Sequence, residues 1–263
     1  MTSVSEAMAR VRPVAAPSLQ RTLKALLRAD FTVQLRNVRA LILNFVMPIA
    51  LLYGLFANKR ASLLGNANFR VGVVLMTGML TLAILIYSIT IARDRERGVF
   101  QRLRATPAPS WTIMASRLIV QEVAILLLAV VVLIAARLLE NITLTPEAYA
   151  LTLVVLLLSS ATFLSIGQAL VGLVKSADTV NAVAPLTYLP VLALGLFRHI
   201  STFGDTFETI ARWSPGGVVA LLLSGAMQPS SWTSDTWWAL VASLAYSAVF
   251  AGIGIRWFRW STT

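Results

Sequence analysis

The sequence predicts an all-α membrane protein with six transmembrane helices. Three observations carry that prediction. Of 263 residues, 57% are hydrophobic and only 13% are charged, whereas a soluble domain carries about 25% charge and about 45–50% apolar residues. The apolar residues come in blocks of about 17–25, the length a helix needs to cross a bilayer. The blocks are continuous rather than alternating, so the spans are helices and not barrel strands.

The first expected element is an amphipathic interfacial helix over 18–39. Leu19, Leu23, Leu26, Leu27, Phe31 and Leu35 recur at helical spacing, with Arg21, Lys24 and Arg28 opposite and Pro17-Ser18 as the start. Such a helix lies along the membrane surface. Asp30 falls on its apolar side. The preferred reading pairs it with a nearby Arg or makes it a break in the helix; the alternative is a fixed salt bridge to the segment 93–104. Isolated surface pairs contribute little, which favours the simpler reading.

Six spans follow, at about 40–57, 71–92, 118–136, 150–174, 180–197 and 237–255. Pro48 in the first, and Pro185 and Pro190 in the fifth, are candidate kinks, either along a transport path or in plain packing. The fourth span carries Ser159, Ser160, Thr162, Ser165, Gly167 and Gly172, small residues that let helices approach closely. Gln168 among them either packs with them or faces a polar path. The connection 175–179 is a tight turn. The connection 198–236 is too long for a turn. It is expected to fold back as one or two half-helices at the outer rim, with the apolar run 216–227, too short to span, as a re-entrant or surface helix. The whole chain, 1–263, reads as one transmembrane domain.

With the N-terminus inside, 16 of the 22 Lys and Arg residues fall on the inner side. Both termini are therefore expected in the cytoplasm of a multi-pass protein of the cell membrane. Trp232, Trp237 and Trp238 then mark the outer interface, and Trp257 and Trp260 the inner one. The net charge of +11 belongs to loops flanking spans, and no nucleic-acid module is visible.

The chemistry expected of an enzyme is missing. No Gly-x-x-x-x-Gly-Lys-Ser/Thr run exists to cradle ATP. No His-Glu-x-x-His exists, and there is no cysteine. His199, the single histidine, reads as interfacial. The spans hold almost no ionisable residues; Glu122, about one turn inside the third, is the nearest. A carrier driven by protons or sodium needs an acid or His near the midplane. No catalytic residue, cofactor or metal is therefore expected in this chain, and the energy must come from elsewhere.

The segment Arg93 to Arg104 has seven charged residues in twelve. At about 2.5–3.5 kcal/mol for each Arg or Asp at a bilayer centre, it cannot lie in lipid, so it reads as a wet basic loop between the second and third spans. Within it, Arg95-Glu96-Arg97-Gly98-Val99-Phe100-Gln101-Arg102-Leu103, followed by Ala105-Thr106-Pro107, resembles the loop after the second span in permeases of the ABC type-2 exporter family. Val99 stands where Thr is usual in that family, and Gln101 where an acid is usual. Trp213-Ser214-Pro215 resembles the Asn-Pro or Ser-Pro before the family's last span.

The resemblance implies an export permease. A second six-span subunit, identical or not, would complete the membrane part. Two ATP-binding subunits would carry ATP and magnesium. The interfacial helix and Arg95, Glu96, Arg97, Gly98, Phe100, Leu103 and Pro107 would form the face that docks them. Glu96 to Leu103 would make a short helix laying Val99, Phe100 and Leu103 into a partner groove, with Arg side chains at the rim and Gly98 allowing a bend. An apolar span set without fixed charges suits a hydrophobic or amphipathic cargo such as a drug or lipid. The alternatives are a polysaccharide or glycolipid cargo, or a scaffold or sensor whose loop binds anionic lipid.

Overall fold

The computed structural model describes residues 18–36, 38–58, 65–197, 204–258 and 260. His199, Lys59, Arg60, Arg198, Arg259 and the chain before Ser18 lie outside the described residues. Among those described there is no strand, and the all-helical fold class holds.

The chain runs α1 (Leu19–Arg36), α2 (Val38–Ala57), α3 (Ala67–Glu96), α4 (Val99–Arg104), α5 (Ser110–Glu140), α6 (Pro146–Leu173), α7 (Ala177–Leu196), α8 (Asp205–Trp213), α9 (Pro215–Met227) and α10 (Ser234–Trp257). Five of these, α3, α5, α6, α7 and α10, are long and apolar enough to cross a bilayer. With α2, a helix of 20 residues and so about 30 Å long, all six expected spans are present as helices. Most run past their apolar cores, because backbone hydrogen bonding continues through the polar residues at each end.

Local signals set the boundaries. Thr145 accepts from the Ala148 N–H at 3.2 Å ahead of Pro146 at the first helical position of α6. Ser176 Oγ accepts from the Thr179 N–H at 3.1 Å at the start of α7. Thr233 and Thr236 form a capping box on α10. Asn141, in the left-handed region at φ 52°, ends α5.

α8 and α9 meet at a bend of 73°, as expected of half-helices. Ser214 makes the corner, its Oγ accepting from the Gly217 N–H at 3.0 Å with Pro215 behind it. Their position decides between the two sequence readings of 216–227, removing the surface helix and keeping the re-entrant one. α9 is not a surface helix at the rim; Val218, Val219, Ala220, Leu222, Leu223 and Ala226 are fully buried, and α9 packs on α3, α6, α7, α8 and α10. Thirteen residues are too few to span, but an apolar helix is at no disadvantage inside a ring of other helices.

α6 is the other organiser, packed along α10 and against α3, α5, α7 and α9. Thr162 Oγ1 links α6 to α10, lying 2.8 Å from Ser243 Oγ and 2.9 Å from Ser247 Oγ. Such hydroxyl bonds between helices contribute about 0.6–2 kcal/mol in a membrane. Pro48 is buried where α2 meets α3, near Gly78 and Leu128, and so serves packing. Pro185 and Pro190 lie on the exposed side of α7.

α3 is not uniform. Residues Thr81–Tyr87 are π-helical, a geometry that widens the turns and recurs at functional sites. Neighbours fit this stretch closely. Gln121 Nε2 donates to the Leu82 carbonyl at 2.9 Å. The Ala83 carbonyl occupies the space a Cβ at position 167 would need, which is why Gly167 belongs there.

Candidate partner-docking site

The charged segment is a knot of helix ends rather than a loop. α3 continues to Glu96; Gly98 then takes φ 69° and ψ 17°, a left-handed conformation that glycine adopts without steric cost. The chain turns there and enters α4. The bend at Gly98 is thus where the sequence put it, but the single helix from Glu96 to Leu103 is two helices meeting at that glycine.

Arg95 is the sharpest departure from expectation. It is 2% exposed and faces inward rather than sitting at a rim. Its Nη1 donates to the Val171 carbonyl at 2.9 Å, and its Nη2 to the Val174 and Lys175 carbonyls, each at 2.7 Å. These are carbonyls at the C-terminal end of α6, where the ladder leaves acceptors unpaired and the helix dipole is negative. A planar, always-charged guanidinium matches that fork of acceptors.

Glu96 does the converse for the next helix. Its Oε1 accepts from the Ala177 N–H at 2.5 Å, at the N-terminus of α7, where the dipole favours negative charge. Two adjacent residues at the end of α3 therefore hold the end of α6 and the start of α7.

Asp94 reaches the opposite way. Its carboxylate pairs with Arg117 Nη2 at 2.9 Å, and Arg117 Nε lies 3.3 Å from Asp30. Ser116 Oγ donates to the same Asp30 carboxylate at 2.6 Å. Asp30 is thus paired with a nearby Arg, and the link to the 93–104 segment runs through that Arg rather than directly. Leu23, Leu27, Asp30 and Phe31 share the half-buried side of α1, with Arg21, Lys24 and Arg28 exposed, and α1 packs on α5.

Phe100 is also turned inward, which overturns its reading as an anchor for a partner. It is fully buried, edge-on to Phe258 at 5.9 Å and to Trp260 at 6.1 Å between ring centroids. Such contacts contribute about 0.5–1.5 kcal/mol beyond area burial. Arg104 lies over Trp260 at 5.4 Å. A buried aromatic and a C-terminal aromatic pair thereby join α4 to the end of α10. Leu103 is half-buried beside them.

The exposed residues of the segment are Arg93, Glu96, Arg97, Gln101, Arg102, Arg104, Ala105, Thr106 and Pro107. Beside them lies a polar notch of about 210 Å³ between Arg93, Glu96, Arg97 and, from α7, Ala177, Asp178 and Asn181. Gln168 is elsewhere, buried in α6 and accepting from the Tyr87 hydroxyl at 2.6 Å.

Sequence reasoning missed Asp94, Ser116, Arg117, Phe258 and the packing of Trp260. One signal was available. Arg117 stands two turns inside α5 at the edge of the apolar run, and a charge there requires a partner.

Residues 21–228 match the family described as "ABC-2 type transporter". The chain is 25% identical over 226 residues to "Putative transport permease YvfS" of Bacillus subtilis (strain 168), covering 82% of this chain and 88% of that one. A multi-pass helical bundle with a basic, helix-tying segment after its second span, matched over most of its length, belongs to the ABC-2 type transporter family.

Proposed function

We propose that this chain is the membrane subunit of an ATP-driven exporter for a hydrophobic or amphipathic compound such as a drug or lipid. It pairs with a second six-span subunit, and two ATP-binding subunits supply ATP and magnesium. Family membership gives a transporter subunit that is not itself catalytic and that works with an ATP-binding partner in general. The remainder is our reading, with both termini on the cytoplasmic face of the cell membrane.

One observation supports it most: the 94–104 segment bonds four other helices while leaving a basic surface free. A partner pressing on Arg97, Gln101 and Arg102 meets a short helix whose buried side is fixed to α10 by Phe100. The preceding residues are fixed to α6, to α7 and to Arg117 of α5, which in turn pairs with Asp30 of α1. The notch beside Arg93 and Arg97 gives an acidic or polar partner side chain a seat. Force applied at one point is therefore distributed to several spans, as a transporter with no energy source of its own requires.

The test is affinity capture of the tagged full chain from the membranes of its own cell, with the captured proteins identified by mass spectrometry. Wild type should retain an ATPase, and Arg97→Glu with Arg102→Glu should lose it while folding normally. Retention by the double variant removes the docking role; no ATPase with wild type removes the exporter reading.

A further inference from the structure

A groove of about 450 Å³ runs along the flank of the bundle, with α6 as its floor and α5 and α10 as its walls. Leu118, Ala161, Leu164, Ala251 and Ile255 make it apolar, and Glu122 stands in its α5 wall. The volume lies in the range of small-molecule sites, about 300–1,000 Å³.

The polar groups in the lining differ in what they have left to offer. Ser165 Oγ donates to the Thr162 carbonyl at 2.7 Å, and Gln168 is bonded to Tyr87 at 2.6 Å. Glu122 Oε1 takes the Ser160 hydroxyl at 2.6 Å, and no Lys or Arg lines the groove. The ion pairs among the described residues are Arg117 with Asp30 and Asp94, and Arg212 with Glu208 and Asp235. Glu122 is in none of them. One hydroxyl does not neutralise a carboxylate in apolar surroundings, where an unpaired charge is costly.

We infer that this groove binds a lipophilic monocation, its apolar body against α6 and α10 and its positive centre against Glu122. A neutral acyl chain would fill the space and leave the carboxylate unmatched. An anionic amphiphile would be repelled. The inference rests on the exporter reading only for its meaning, since it names the class of amphipathic cargo that reading requires.

The test uses the purified full chain in neutral detergent, titrated with tetraphenylphosphonium and, separately, with the isostructural anion tetraphenylborate. Comparing wild type and variant with each probe cancels micelle partitioning. Glu122→Gln should weaken tetraphenylphosphonium binding roughly tenfold, the factor that corresponds to about 1.4 kcal/mol, and leave tetraphenylborate no weaker. Ala161→Trp, which keeps the carboxylate and fills the groove, should also weaken the cation. Equal cation binding by wild type and Glu122→Gln, or by wild type and Ala161→Trp, overturns the proposal, as does a groove that takes only acyl chains. No ATPase is present in these titrations, so their failure leaves the capture result standing.

Discussion

The inner knot around Arg95 and the buried helix α9 hold the same bundle together by opposite means. At the knot, charged side chains reach named carbonyls and N–H groups at helix ends. Along α9, apolar side chains fill space against five other helices, and its side-chain hydrogen bonds, from Ser224 to the Leu221 carbonyl and at the Ser214 cap, stay within the helix and its corner. The difference is one of tolerance. An apolar contact weakens in proportion to what is removed, whereas a guanidinium serving three acceptors has no near substitute. Geometry is fixed at the knot, and volume is fixed at α9.

Substitutions can break this contrast. Arg95→Ala should have the largest effect, about 4 kcal/mol, since it strips charged hydrogen bonds from three acceptors at a buried helix end. Arg95→Lys should recover little of it. The check is thermal unfolding in detergent, read as loss of monodisperse protein. Leu222→Ala, fully buried in α9, should cost about 3 kcal/mol through loss of packing, and Leu222→Met should restore most of that. Two large side chains restored to different degrees by their nearest substitutes would establish the contrast; equal rescue would dissolve it.

Smaller effects sharpen it. Glu96→Gln keeps an acceptor for the Ala177 N–H but removes the charge at the α7 N-terminus, so about 0.5–1 kcal/mol should go. Raised salt should shrink the difference between Glu96→Gln and wild type. Leu186→Ala, at a site 68% exposed on α7, should leave the unfolding temperature of the isolated chain unchanged. A loss of self-association there would place the second membrane subunit on that face.

Much of the fold was legible in the sequence. Length and continuity of apolar runs identify spans because a bilayer imposes a minimum length. Pro215 after Ser214 marks a helix start, and Gly98 marks a turn, because each restricts or frees the backbone locally. What hydropathy could not show is which helices a span meets. α9 reads as too short to span, yet it is the buried centre, and burial inside a ring of helices leaves no length signature. Arg95 reads as solvated for a related reason. The acceptors it serves lie some 76 to 80 residues away, and nothing around position 95 announces them. Asp30 was half legible: its place on the apolar side of α1 demanded a partner, while the identity of Arg117 depended on how α1 lies on α5. The π-helical stretch of α3 left no trace, since its residues are ordinary for an apolar helix.

That stretch sets which way the inner end of the most buried span faces. A π turn carries more residues per turn than an α turn, so a return of Thr81–Tyr87 to α geometry would turn everything below it by about one residue, roughly 100°. Everything below it includes Asp94, Arg95 and Glu96. One small rewinding midway along α3 would therefore let go of α5, α6 and α7 together.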